Sequence, residues 1–60
     1  MKKFCLNYGN TFEYFDTRDA AVDRGRDVFS QASARFGDGG SAVLFCGDTI
    51  LATVTIVEEA

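Results

Sequence analysis

The chain has 60 residues, of which 47% are hydrophobic and 13% aromatic, and it contains neither proline nor histidine. A chain of this length has room for one small core, so we expect a single domain over residues 1–60. Nine acidic against six basic side chains give a net charge of −3. That charge disfavours nonspecific binding to nucleic acids and to anionic membranes.

The sequence lacks the patterns of export and membrane insertion. No apolar run approaches the roughly 18 residues of a membrane-spanning helix, and Met1-Lys2-Lys3 precedes only a short apolar stretch. We therefore expect a cytoplasmic protein without a signal peptide. Cys5 and Cys46 are too few for a disulfide scaffold, and in a reducing compartment they are expected to be free thiols.

The first third of the chain predicts a β-hairpin. Two β-prone runs, residues 3–8 and 11–15, flank Gly9-Asn10. A two-residue loop would place the aromatic side chains of the two runs on opposite faces, whereas a three-residue loop, Gly9 to Thr11, would gather them on one face. We favour the three-residue loop. It predicts one apolar face formed by Phe4, Leu6, Tyr8, Phe12 and Tyr14.

The middle third predicts one amphipathic helix. Asp16 or Thr17 offers a capping side chain at its start, with Asp19 in the first turn. We expect the helix to end at Phe36, with Gly37 as its left-handed closing residue. The apolar stripe, in which Gly25 suggests close approach to a strand, contains Ala21, Val22, Gly25, Val28, Phe29, Ala32 and Phe36.

The last third predicts a second hairpin, residues 41–46 and 49–57, joined by a type II′ turn at Gly47-Asp48. Pairing Phe45 with Ile50 and Val43 with Ala52 defines two faces. The face toward the helix is expected to hold Val43, Phe45, Ile50, Ala52, Val54 and Ile56. The opposite face is expected to hold Leu44, Leu51 and Val57 among threonines, with Cys5 and Cys46 pointing the same way.

These elements predict an α+β fold of order ββαββ, a four-stranded antiparallel sheet with one helix packed on one face. The strand order stays open. Without histidine, and with no serine or cysteine beside an identifiable base, we expect no enzymatic activity. We also expect no metal and no cofactor. Gly37 to Ser41 lacks the lysine of a phosphate-binding loop and is expected to be a connector.

Two resemblances accompany this pattern. Residues 40–44, followed by Gly47-Asp48-Thr49 and residues 51–54, resemble the opening hairpin of the phosphorolytic exoribonucleases related to RNase PH, but residues 1–36 do not match that family and no site is carried over. In size, charge and layout the chain also resembles accessory proteins of phages and mobile elements, including anti-CRISPR inhibitors. That resemblance implies an inhibitor of a host defence complex.

Three surfaces are candidates for function. Asp19, Asp23 and Asp27 form an acidic ridge at four-residue spacing, which is either a solvated helix face or a surface that meets a basic partner by imitating spaced phosphates. Leu44, Leu51 and Val57 are either ordinary exposed apolar residues or a patch for a partner or a second copy. Tyr8, Phe12 and Tyr14 form the third surface. We expect them to face the helix and belong to the core, and the alternative is a platform on which nucleic-acid bases stack, against which the net charge argues.

The sequence therefore predicts a small, non-enzymatic protein–protein interaction module. Its predicted binding residues are Asp19, Asp23, Asp27, Leu44, Leu51 and Val57. The alternative is a structural homodimer or an assembly subunit with no inhibitory role.

Overall fold

A computed structural model describes residues 3–57 of the chain. It has one helix and one antiparallel sheet, which confirms the α+β class, but the sheet has five strands and not the predicted four. The strand order is β2-β1-β5-β4-β3. The elements are β1 (Phe4–Tyr8), β2 (Thr11–Phe15), α1 (Arg18–Val28), β3 (Ser33–Phe36), a short 3-10 turn (Asp38–Gly40), β4 (Ala42–Cys46) and β5 (Thr49–Ile56).

The helix begins where the sequence predicts and ends earlier. Thr17 is the N-cap, and its side-chain oxygen accepts a hydrogen bond from the backbone N–H of Ala20 at 3.1 Å. The helix ends at Val28, so the prediction that it reaches Phe36 is wrong. Ser30 and Ser33 follow closely, and serine competes for backbone hydrogen bonds outside helices.

The segment after the helix forms the fifth strand. Residues 33–36 pair with β4 at the edge of the sheet, with Ala34 opposite Leu44 and Phe36 opposite Ala42. Pairing with β4 supplies this segment with the backbone hydrogen bonds that a longer helix would have supplied. Ala32, expected on the helix, is buried just before this strand.

The first hairpin adopts the register that we did not favour. Its loop has two residues, Gly9 and Asn10, and the pairing sets Leu6 opposite Glu13. Gly9 has a φ of +57°, and positive φ at the first loop position alone is the pattern of a type II′ turn. The preference of Gly9-Asn10 for a two-residue turn therefore outweighs the benefit of placing all the aromatic side chains of the hairpin on one face. As a result, Phe12 and Tyr14 lie on the side of the sheet opposite Leu6.

The second hairpin has the predicted turn and an unpredicted β-bulge. Phe45 lies opposite Ile50 as expected, but the register then shifts at Leu51, so that Leu44 and not Val43 lies opposite Ala52. One extra residue on β5 exchanges the two faces of β4. Val43, Phe45 and Ile50 consequently lie away from the helix, whereas Leu44 is fully buried beneath it.

The core lies between the helix and one face of the sheet. The helix approaches the sheet closely at Gly25, as the sequence predicts: a Cβ atom there would lie 2.5 Å from Leu44 Cδ1 and 3.3 Å from Leu6 Cδ1. The opposite face of the sheet has no covering element among residues 3–57. The core cluster contains Leu6, Ala21, Val22, Ala32, Ala42, Leu44, Ala52 and Val54.

Candidate functional site

The side of the sheet that faces away from the helix is the candidate site, and we refer to it as the open face. Strand pairing places one residue from each of the five strands in a continuous row, from Phe12 on β2 to Arg35 on β3. The row reads Phe12, Asn7, Thr53, Val43 and Arg35. The remaining strand residues of the open face are Cys5, Tyr14, Ser33, Phe45, Ile50 and Thr55.

Large apolar side chains are exposed on this face. Phe12 is 57% exposed, Tyr14 49% and Ile50 65%. Arg35 is the charged residue of the row, and its guanidinium carbon lies 5.3 Å from the centroid of the Phe45 ring. That distance is within the range of a cation–π interaction. The arrangement can offer apolar and aromatic contacts with very little charge.

A shallow depression lies at one end of the open face. Its volume is about 330 Å³, and it lies beside the turn between β4 and β5. The charged groups at its rim, Arg35 and Asp48, have opposite sign, so the depression has no strong charge preference. Its lining residues are Arg35, Val43, Phe45, Gly47, Asp48 and Ile50.

On the helix side, a polar cluster joins the edge strand β2 to the helix. Arg24 Nε donates to Glu13 Oε1 at 3.2 Å, and the hydroxyl of Tyr8 donates to the other carboxylate oxygen of Glu13. The hydrogen bond from Tyr8, assisted by Arg24 and opposed by partial desolvation, holds the pKa of Glu13 below its ordinary value. The same bond raises the pKa of Tyr8.

This cluster has a structural role with a defined pH dependence. The pKa of Glu13 is lower in the folded chain than in the unfolded chain. The ionised carboxylate therefore stabilises the fold at pH values above the pKa that Glu13 has in the unfolded chain. This stabilisation is lost as the pH falls through the pKa that Glu13 has in the folded chain. Tyr8 also packs edge-on against Phe29, with ring centroids 5.8 Å apart, so the cluster anchors the end of the helix as well.

The acidic ridge of Asp19, Asp23 and Asp27 lies on the helix, where all three side chains are exposed. Asp27 accepts a hydrogen bond from Arg24 at 3.2 Å, which lowers the repulsion along the ridge. The ridge and the open face lie on opposite sides of the sheet. A role for the ridge in binding stays a prediction.

The predicted apolar patch is not brought together. Leu44 is fully buried in the core, so the prediction that it contacts a partner is wrong. Leu51, at the bulge, is partly buried and packs against the core. Val57 follows β5, is half-buried, and donates its N–H to the carbonyl of Lys3 at 2.7 Å. Cys46 has the same orientation as Leu44 and is exposed at the strand end, whereas Cys5 lies buried on the open face.

Phe12, Tyr14 and Ile50 replace that patch, and sequence reasoning assigned all three to the core. A signal for the first two was present, because Gly9-Asn10 has the same glycine-first form as Gly47-Asp48. Treating both loops alike would have placed Phe12 and Tyr14 on the open face. No comparable signal in the sequence marks Leu51 as a bulge residue, so the placement of Ile50 on the open face could not be predicted.

Comparison of the chain with protein-family models, with curated proteins and with solved structures gave no match. Within residues 3–57, no three cysteine or acidic side chains come together as a set of metal ligands. The single α-helix of this part of the chain has 11 residues, which is too short to cross a membrane.

Proposed function

We propose that this chain is a small, non-enzymatic module that binds a partner protein through its open face. The observation that carries the proposal is the exposure of Phe12, Tyr14 and Ile50 on one face of the sheet. Exposed apolar area costs about 25 cal/mol per Å² relative to burial. Apolar residues gathered on one face are a common mark of a binding surface.

The acidic ridge supports the proposal less strongly than the open face. Its carboxylates are well solvated, and two arginines, Arg24 and Arg26, are interspersed among them on the helix. A charged helix surface of this kind needs no partner for its stability. We therefore assign partner contact to the open face.

Affinity capture with three matched forms of the chain tests this assignment. The face variant carries Phe12→Thr, Tyr14→Thr and Ile50→Thr, because threonine keeps a high β-propensity while removing the apolar surface. The ridge variant carries Asp19→Asn, Asp23→Asn and Asp27→Asn. We expect proteins that the wild type and the ridge variant retain from a cell lysate to be lost from the face variant.

The captured protein is then purified, and its direct binding to each form is measured by calorimetry. We expect the face variant to bind at least about tenfold more weakly, because it loses three apolar anchors. Circular dichroism of the variants checks that the fold is retained. Loss of binding in the ridge variant, with retention in the face variant, would move the interface to the helix and contradict the proposal.

The class of partner remains a prediction. Inhibition of a host defence complex rests on a resemblance in size, charge and ββαββ layout, and the fifth strand of the sheet departs from that layout. Exposure of Phe12 and Tyr14 removes one objection to base stacking, but the net charge of −3 still argues against nucleic acid. The second candidate function is self-association through the same open face.

A further inference from the structure

We propose that the outer edge of β2 binds an extended segment of the partner by strand addition, and that basic and apolar residues alternate along that segment. This inference rests on the proposed function and deepens it. The binding surface then includes the outer backbone edge of β2 beside the open face, and the bound segment presents basic and apolar side chains in alternation.

The backbone of β2 has groups that face away from the sheet. The two-residue loop makes Tyr8 and Thr11 a hydrogen-bonded pair, so the even-numbered residues of β1 bond toward β2 and the odd-numbered ones toward β5. Leu6 therefore bonds to Glu13, and the N–H and C=O groups of Phe12 and Tyr14 point outward. Since β2 is an edge strand, no other strand of residues 3–57 pairs with these four groups.

The two edges of the sheet differ in their protection. β3 has four residues and carries Arg35, and shortness and charge both protect an edge from pairing. The guanidinium of Arg18 also lies over the ring of Phe36 at 4.6 Å. β2 has no bulge, proline or lysine, and its one charged residue, Glu13, is bound to Arg24. β2 is consequently the edge that accepts another strand.

A groove beside β2 indicates the side chains that fit. Its volume is about 600 Å³, and it is lined by Phe12, Glu13, Tyr14, Phe15, Asp16 and Ala20. A strand added here points alternate side chains to each face. Those on the open face meet Phe12 and Tyr14. On the helix side, Glu13 shares Arg24 with Asp27, so these three groups together with Asp16 in the groove lining keep a net negative charge. Alternating apolar and basic residues match both faces.

A second copy of the chain matches this edge poorly. Using all four outward groups in a symmetric pair would set Phe12 opposite Tyr14 of the other copy and Glu13 opposite Glu13. Like charges directly opposite each other destabilise a strand pair. Each copy also carries a net charge of −3. The edge therefore favours a basic segment from another protein.

Amide hydrogen exchange of the ¹⁵N-labelled chain tests this inference with a defined probe. The probe is a short blocked peptide in which lysine alternates with valine, and an isomer with its lysines in one block is the control. At saturation we expect exchange of the Phe12 and Tyr14 amides to slow by about tenfold or more. The Thr11 and Glu13 amides, already bonded to β1, should change little.

Two single variants test the charge pattern. Asp16→Asn should weaken binding of the alternating peptide by about two- to fivefold, as expected for one exposed ion pair. Asp48→Asn, at the opposite end of the sheet from the groove, should bind as the wild type does. Equal binding of the two peptides, or binding that leaves the Phe12 and Tyr14 amides unprotected, would overturn the inference.

The remaining outcomes separate this inference from the proposed function. Protection of Phe12 and Tyr14 that grows with protein concentration in the absence of peptide would identify a second copy as the occupant and overturn the basic segment. A captured partner that needs the open face but leaves these amides unprotected would overturn strand addition alone. Identical capture by the wild type and the face variant would overturn the proposed function, whatever the peptide does.

Discussion

Gly25 is the residue at which the helix packs most closely against the leucine side chains of the sheet. A Cβ atom there would lie 2.5 Å from Leu44 Cδ1, whereas non-bonded carbon atoms normally lie about 3.5–4.0 Å apart. Leu44 and Leu6 are both fully buried, so neither side chain has free space into which it can move. The glycine therefore sets the distance between helix and sheet.

We expect Gly25→Ala to destabilise the fold, although alanine is the better helix former. The helix gains about 1 kcal/mol from alanine, but overpacking a dense core costs about 1–3 kcal/mol, so we expect a net loss of about 1 kcal/mol in urea unfolding. At the exposed position 23, Asp23→Ala should be more stable than Asp23→Gly. Adding Leu44→Val should reduce the cost of Gly25→Ala; strict additivity of the two changes would contradict this account.

At the scale of elements, sequence reasoning succeeded at three positions that carry a local signal and failed at a fourth, the loop at Gly9-Asn10. The cap at Thr17, the turn at Gly47-Asp48 and the close approach at Gly25 were all predicted and are all present. The wrong end of the helix, in contrast, concerns long-range pairing. Residues 33–36 form a strand only because β4 offers an edge, and helical periodicity cannot report that edge.

The faces of the sheet were harder to predict than its strands. A change of one residue in register turns every later side chain to the other face, so a single loop length and a single bulge decided the candidate site. The predicted three-residue loop placed Phe12 and Tyr14 on the core face of the sheet. The predicted second hairpin had no bulge, so it placed Phe45 on the face toward the helix and Leu44 on the opposite face. The acidic ridge was placed correctly because it depends only on helical spacing within α1.

The bulge at Leu51 gives a direct test of the second hairpin. Without Leu51, Ile50 still lies opposite Phe45 and Ala52 opposite Leu44, so alternation of the two faces becomes regular. We therefore expect deletion of Leu51 to keep the fold, with a loss of about 1–3 kcal/mol from its packing against the core. Deletion of Thr53 should prevent folding, because Ala52 and Val54 can no longer both face the helix. Unfolding of both deletion variants to the same extent would show that the bulge itself is required.

At the scale of the whole molecule, charge is concentrated on the helix side of the sheet, whereas exposed apolar side chains lie on both sides. Asp16, the ridge and the cluster around Glu13 lie on or beside the helix, whereas the open face has few charges. A partner with a mixed surface can use both the open face and the adjoining acidic groove at β2. A second copy can use only the open face, because its own acidic groups repel those of the first.

The small exposed apolar area of the open face predicts a monomer. At about 200 Å² for a large side chain, the exposed parts of Phe12, Tyr14 and Ile50 sum to roughly 350 Å². A stable protein interface buries about 800 Å² on each partner. We therefore expect sedimentation at micromolar concentration to give a monomer for the wild type and for Ile50→Glu alike. A wild-type dimer that Ile50→Glu separates would instead support self-association through the open face, because a charge at that position leaves the core untouched and acts only on a contact made there.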